Sequence, residues 1–129
     1  VNGGLVVLGT LTVPGDAAHV RRVRAFAREV LGADHPLLGD IGLCLTEKFG
    51  NAVRHTASGR GGMVVVTLLG GDGLVRSEVT DDGAGGERPR RPGHGELAEN
   101  GRGLLLVAAL SRRWGYEADG VRTTVWAEY

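Results

Sequence analysis

The run "MVVVTLLGGDGLVRSEVT", residues 63 to 80, constrains the fold more than any other part of this 129-residue chain. Two stretches rich in β-branched residues, 63 to 69 and 74 to 80, flank Gly70-Gly71-Asp72-Gly73, and so short a glycine-rich connection reads as a hairpin. "LVVLGTLTV" (5 to 13), ended by Pro14-Gly15, reads as a further strand. "WGYEA" and "VRTTVWAEY" close the chain as a second hairpin about Asp119-Gly120. Strands paired in this way imply a mixed sheet that is mostly antiparallel.

Helical spacing occupies the intervals. Asp16 is placed to cap a helix in which Val20, Val23, Ala27, Val30 and Leu31 recur until Gly32 stops it. After the Asp34-His35-Pro36 break a second helix runs from about 37 to 56, and "RGLLLVAALSRRW" (102 to 114) predicts a third. Residues 81 to 100, "DDGAGGERPRRPGHGELAEN", hold glycine, proline and charge without a period and read as a long loop, functional or mobile. The order of elements predicts a two-layer α+β sandwich with its helices on one face of the sheet, and residues 1–129 suit a single domain with one core.

Charge and cysteine usage exclude several classes. The formal net charge is zero and no block of like charges occurs, which disfavours a general nucleic-acid or acidic-membrane binder. The lone Cys44 has no disulfide partner and sits in an apolar run, as a small core residue in a reducing compartment would. No apolar stretch is long enough to span a membrane and no signal-like segment opens the chain, so the expected location is cytoplasmic.

The second helix divides into two faces. Leu38, Ile41, Leu45, Phe49 and Ala52 form an apolar stripe for packing on the sheet. Glu47, Asn51, Arg54 and His55 lie opposite, with Glu47 and Asn51 one turn apart. Lys48 falls between the faces, where a lysine snorkels or is solvated. A polar face is ordinary for an amphipathic helix, and Arg54 and His55 read equally as a solvated helix end or as groups that reach phosphate or a partner. Likewise "DDGAGG" after a strand and "GRGLLLV" at a helix start are, one at a time, common turns. Their order, E-x-x-x-N on a helix, D-x-G-x-G after a strand and G-x-G-L before a helix, is a far stronger signal.

With "EKFGN" (47 to 51), "DDGAG" (81 to 85) and "GRGL" (101 to 104), the chain resembles the GHKL superfamily of histidine kinase-like ATPases. Its size and its "NAVRHT", "GRGLLLVAAL" and "TTVWAEY" segments are most similar to the bacterial anti-sigma factor serine/threonine kinases. The resemblance implies the Bergerat α/β sandwich, with ATP and Mg2+ as cofactors. It implies Asn51 as the magnesium ligand, Asp81 as acceptor from the adenine amino group, and Gly83 and Gly85 as the glycines beside the base. It further implies Gly101 and Gly103 at the phosphates, Thr124 near the base, and Glu47 as the general base for phosphotransfer. Residues from about 86 to 100 match the ATP lid, with Arg88, Arg90, Arg91 and His94 on it, as phosphate contacts or as solvated charges.

The activity implied is an ATP-dependent protein serine/threonine kinase that is also an anti-sigma factor. Its partners would be a sigma factor and an antagonist of the STAS type phosphorylated on serine, with a homodimer also open. A nucleotide-dependent binding module without phosphotransfer is the alternative from another class. A histidine kinase catalytic domain is disfavoured, because only one strand and one helix precede "EKFGN".

Overall fold

In the structure, a computed structural model, residues 4–55, 61–82 and 101–129 are described, with only the backbone for residues 55, 101 and 102. The predicted loop at 83–100, with Gly83, Gly85, Arg88, Arg90, Arg91 and His94, lies outside the described residues.

Five strands and three α-helices follow one another: β1 (Val6–Pro14), α1 (Val20–Leu31), α2 (Leu38–His55), β2 (Met63–Gly71), β3 (Leu74–Asp81), α3 (Gly101–Leu110), β4 (Arg113–Asp119) and β5 (Arg122–Glu128). The sheet order is β1-β2-β3-β5-β4, and every neighbouring pair is antiparallel. The β2–β3 hairpin closes more tightly than its four turn-like residues suggest. Gly71 pairs with Leu74, which leaves Asp72 and Gly73 as the turn, with φ of 53° and 75°. Two successive left-handed residues match the twist of the strands, and Asp-Gly tolerates them well.

Asp16 Oδ1 accepts from the Ala18 N–H at 2.9 Å, capping a short 3₁₀ turn (Ala17–His19) that runs into α1. Gly32, at φ 95°, ends α1 and donates its N–H to the Arg28 carbonyl. The third helix stops earlier than its sequence pattern predicts. Ser111 bonds back to the Val107 carbonyl through its N–H and its hydroxyl, and the Arg112 N–H donates to the Glu128 carbonyl. Arg113 and Trp114 therefore belong to β4, where Arg113 lies opposite Glu128 and binds its carboxylate.

The helices cover one face of the sheet, with α2 packed between α1 and α3 and against β3. Val64, Val66 and Leu68 of β2 and Val75 and Val79 of β3 point into this layer. They meet Val23, Phe26 and Ala27 of α1, Ile41, Cys44, Leu45, Phe49 and Ala52 of α2, and Val107 of α3. The predicted apolar stripe of α2 is thus the central part of the core, and Cys44 is one of its buried members.

Lys48 departs from its expected place. It is 2% exposed rather than snorkelled or solvated, and its Nζ donates to Ser77 Oγ on β3. Burial removes the ammonium from water and lowers its pKa to about 7. Burial also raises Cys44 and Tyr129, so three ionisable groups are held towards their neutral forms between α2 and the sheet.

The shift gives stability a signed dependence on pH. Between about 7 and the ordinary lysine value the unfolded chain binds the extra proton, so Lys48 makes the fold more stable as pH rises through that window. Lys48→Met removes the contribution and leaves that of Tyr129 in place; it also frees the Cys44 thiol from the lowering influence of Lys48, which raises that thiol further. In urea titrations, the stability of Lys48→Met minus that of the wild type should fall from pH 7 to pH 9, by at most about 1.4 kcal/mol per pH unit. A difference that stays constant with pH would mean that the buried amine keeps an ordinary pKa.

Candidate functional site

Helix α2 sends successive side chains into different layers. Lys48 and Phe49 go down to the sheet, while Glu47 and Asn51 stay half-buried on the side that α3 approaches. Their i, i+4 spacing sets one above the other. The first turn of α3 comes against this pair at Gly103. A Cβ built on Gly103 would stand 2.9 Å from Glu47 Oε2, 3.3 Å from Glu47 Cβ and 3.5 Å from Asn51 Nδ2. Glycine is therefore what lets the two helices close here.

The first turn of a helix has N–H groups without intrahelical acceptors and the positive end of the helix dipole. Here it adjoins a carboxylate and a carboxamide. Such a combination offers oxygen donors to a hard cation and N–H groups to an anion. No cluster of three or more His, Cys, Asp or Glu side chains is arranged to hold a metal among the described residues. A divalent cation would accordingly take one or two protein oxygens here and complete its shell from a phosphate ligand and water, as magnesium does.

Arg54 lies on the same side of α2 and donates from Nη2 to Asn51 Oδ1 at 3.0 Å. His55 ends α2, and its side chain is outside the described set. Gly101 opens α3, one residue before the start predicted from the sequence.

A second polar pair is built by the sheet. Asp81, the last residue of β3, is 5% exposed and pairs in register with Thr123 of β5, which is 4% exposed. By strand alternation both share the face of Val79, which is towards the helices. Thr124, the residue singled out from the sequence, does not join them. It pairs with Thr80, and the two hydroxyls meet 2.7 Å apart on the opposite face. A double threonine gives no hint of which member faces inward; the strand's alternation through the buried Ala127 does. Asp82, without a role in the sequence reading, accepts the Met63 N–H at 3.1 Å and ties the end of β3 to the start of β2.

The family model for the histidine kinase-like ATPase domain matches residues 13–129. Among solved structures, the chain is similar to the RsbU and RsbW domains of Rv1364c from Mycobacterium tuberculosis, at 30% identity and a TM-score of 0.65. That match covers 94% of this chain and 32% of the other, so the chain spans about a third of the length of its structural relative. No helix among the described residues is long and apolar enough to cross a membrane.

The packing at Gly103 separates it from other helical glycines. A Cβ at Gly39 or Gly42 of α2 would meet nothing within 4 Å, so alanine there should stabilise the protein by about 0.5–1 kcal/mol through helix propensity alone. Gly103→Ala should gain nothing, because overpacking against Glu47 cancels or exceeds that gain. Combining it with Glu47→Ala should recover only the part due to the carboxylate in chemical denaturation, because the contact with the residue-47 Cβ at 3.3 Å remains. Equal effects at the three positions would refute a close approach at Gly103.

Proposed function

Since the chain belongs to the histidine kinase-like ATPase domain family, we propose that it is an ATP-dependent protein serine/threonine kinase that also acts as an anti-sigma factor. One observation carries the chemistry of this reading: Glu47 and Asn51 share one helical face and meet the glycine-bearing start of α3. The likeness to a structure that contains an RsbW domain supports the choice of subfamily. In this reading the protein binds a sigma factor and phosphorylates a STAS-type antagonist on serine, within a partner-switching regulatory scheme.

The residues divide the work as follows. Asp81 accepts a hydrogen bond from the adenine amino group, and Thr123, in place of Thr124, lies beside it in register. Gly101 and Gly103 begin α3, whose free N–H groups receive the phosphates. Asn51 supplies a neutral oxygen to magnesium, which when bound offsets negative charge on the phosphates. The acceptor serine hydroxyl attacks the γ-phosphorus as the bond to the ADP oxygen breaks, and Glu47 takes the hydroxyl proton. Gly83 and Gly85 complete the adenine site in the same proposal.

Glu47→Gln tests the assignment, since it keeps size and packing but removes the proton acceptor. ADP affinity should stay within roughly threefold while phosphotransfer to the antagonist falls by about 10²- to 10⁴-fold, read as phosphoserine by mass spectrometry. If the wild-type protein binds ATP and its partners yet leaves every acceptor serine unmodified, it is a nucleotide-gated binding module and not a kinase.

A further inference from the structure

The contact between Arg54 and Asn51 conflicts with a metal-ligand role for the same asparagine. A guanidinium has donors only, so the Asn51 atom it meets at 3.0 Å is the carboxamide oxygen, the one atom of that side chain suited to a hard cation. The amide nitrogen is thereby turned towards Gly103. The helix surface is shaped for this contact. A Cβ on Gly50, one turn before Arg54, would stand 3.0 Å from Arg54 Nη1, so the bare glycine leaves the path along which the guanidinium folds back to Asn51.

We infer that Arg54 is a positioning residue that occupies the cation-binding oxygen of Asn51 in the metal-free protein and must be displaced when a divalent cation takes that oxygen. The inference rests on the proposed role of Asn51 and adds a competitor to it. The oxygen has two lone pairs, but a guanidinium and a divalent cation both held on it would stand roughly 4–5 Å apart, and their repulsion sets the two in competition there. Binding of the metal therefore includes the loss of a charge-assisted hydrogen bond. The displaced guanidinium remains tethered one turn from Asn51, within reach of an anionic ligand.

The test is calorimetric titration of ADP into wild type, Arg54→Ala and Arg54→Lys, at magnesium concentrations from a chelated zero to millimolar. With the competitor removed, the magnesium concentration that gives half of the full tightening of ADP should fall roughly tenfold in Arg54→Ala. Arg54→Lys, which keeps the charge but loses the planar fork, should lie between the two. Because Arg54 is exposed, thermal unfolding should be unchanged, which rules out a folding effect. A second readout is the Asn51 side-chain amide resonance. In the wild type it should move on addition of magnesium and ADP, and in Arg54→Ala it should already be displaced before either is added. An unchanged or raised magnesium midpoint in Arg54→Ala overturns the inference, a raised one marking the arginine as an aid to metal–nucleotide binding. If wild type binds ADP with no magnesium dependence, the metal role of Asn51 fails. If it binds no ADP at all, the nucleotide reading fails, and in both cases the inference falls with it.

Discussion

The rest of the structure depends on how α2 is clamped. Its apolar stripe is buried against the sheet while α1 and α3 hold it from either side. Ile41, Leu45 and Phe49 are each at most 1% exposed, so rotation of the helix about its axis would take large apolar surface out of the core. At about 25 cal/mol per Å² of exposed apolar area, a turn of even one residue is prohibitive. The orientation of Glu47 and Asn51 follows from residues that never touch a ligand. Lys48 reinforces the same constraint from below through its bond to Ser77, at the cost of burying an amine.

Much of this was legible in the sequence because it depends on period. The stripe through Ile41, Leu45, Phe49 and Ala52 repeats at helical spacing, and the opposite placement of Glu47 and Asn51 follows by subtraction. The hairpin about Gly70-Gly71-Asp72-Gly73 was legible through turn chemistry, though not its closure by Asp72 and Gly73 alone. What was not legible depends on partners distant along the chain. Lys48 looks like a boundary residue until Ser77 is brought beneath it, from 29 positions away. Ser111, Arg112 and Arg113 continue a helical pattern, yet Glu128 takes the Arg112 N–H through its carbonyl and the Arg113 guanidinium through its carboxylate. The choice between Thr123 and Thr124 is a question of strand parity, which adjacent identical residues cannot encode.

That parity brings the outward face of the sheet into the account of the site. Shifting β5 against β3 by one residue would turn Thr123 away from the helix layer and break its pairing with Asp81. The register is marked on the opposite face. Arg76 lies directly across from Glu128 and binds it at 3.0 Å, Arg113 lies across from Glu128 on its other side and binds it at 2.7 Å, and Arg76 also bonds Glu78. The Arg76 guanidinium sits 4.3 Å from the centre of the Trp126 ring. Opposite that indole is Gly115, where a Cβ would come within 2.8 Å of it.

Burial alone would raise the Glu128 carboxyl, but hydrogen bonds from Arg113 and Arg76 outweigh it and hold its pKa below the usual range. Ion pairs of this kind add little net stability, because desolvation cancels much of their attraction. Their effect is selective: a slip of β5 against β3 by one residue parts Glu128 from Arg76, while Arg113, paired to β5 from β4, travels with it, so a buried carboxylate loses one of its two arginines. The charges on the face away from the helices thus mark the same register that burial of Val79 and Ala127 on the covered face requires. In the register they favour, Asp81 and Thr123 arrive together on the face that α2 covers. The site accordingly draws its geometry from two independent sources, a helix oriented by the core and a strand pair indexed by a charge ladder.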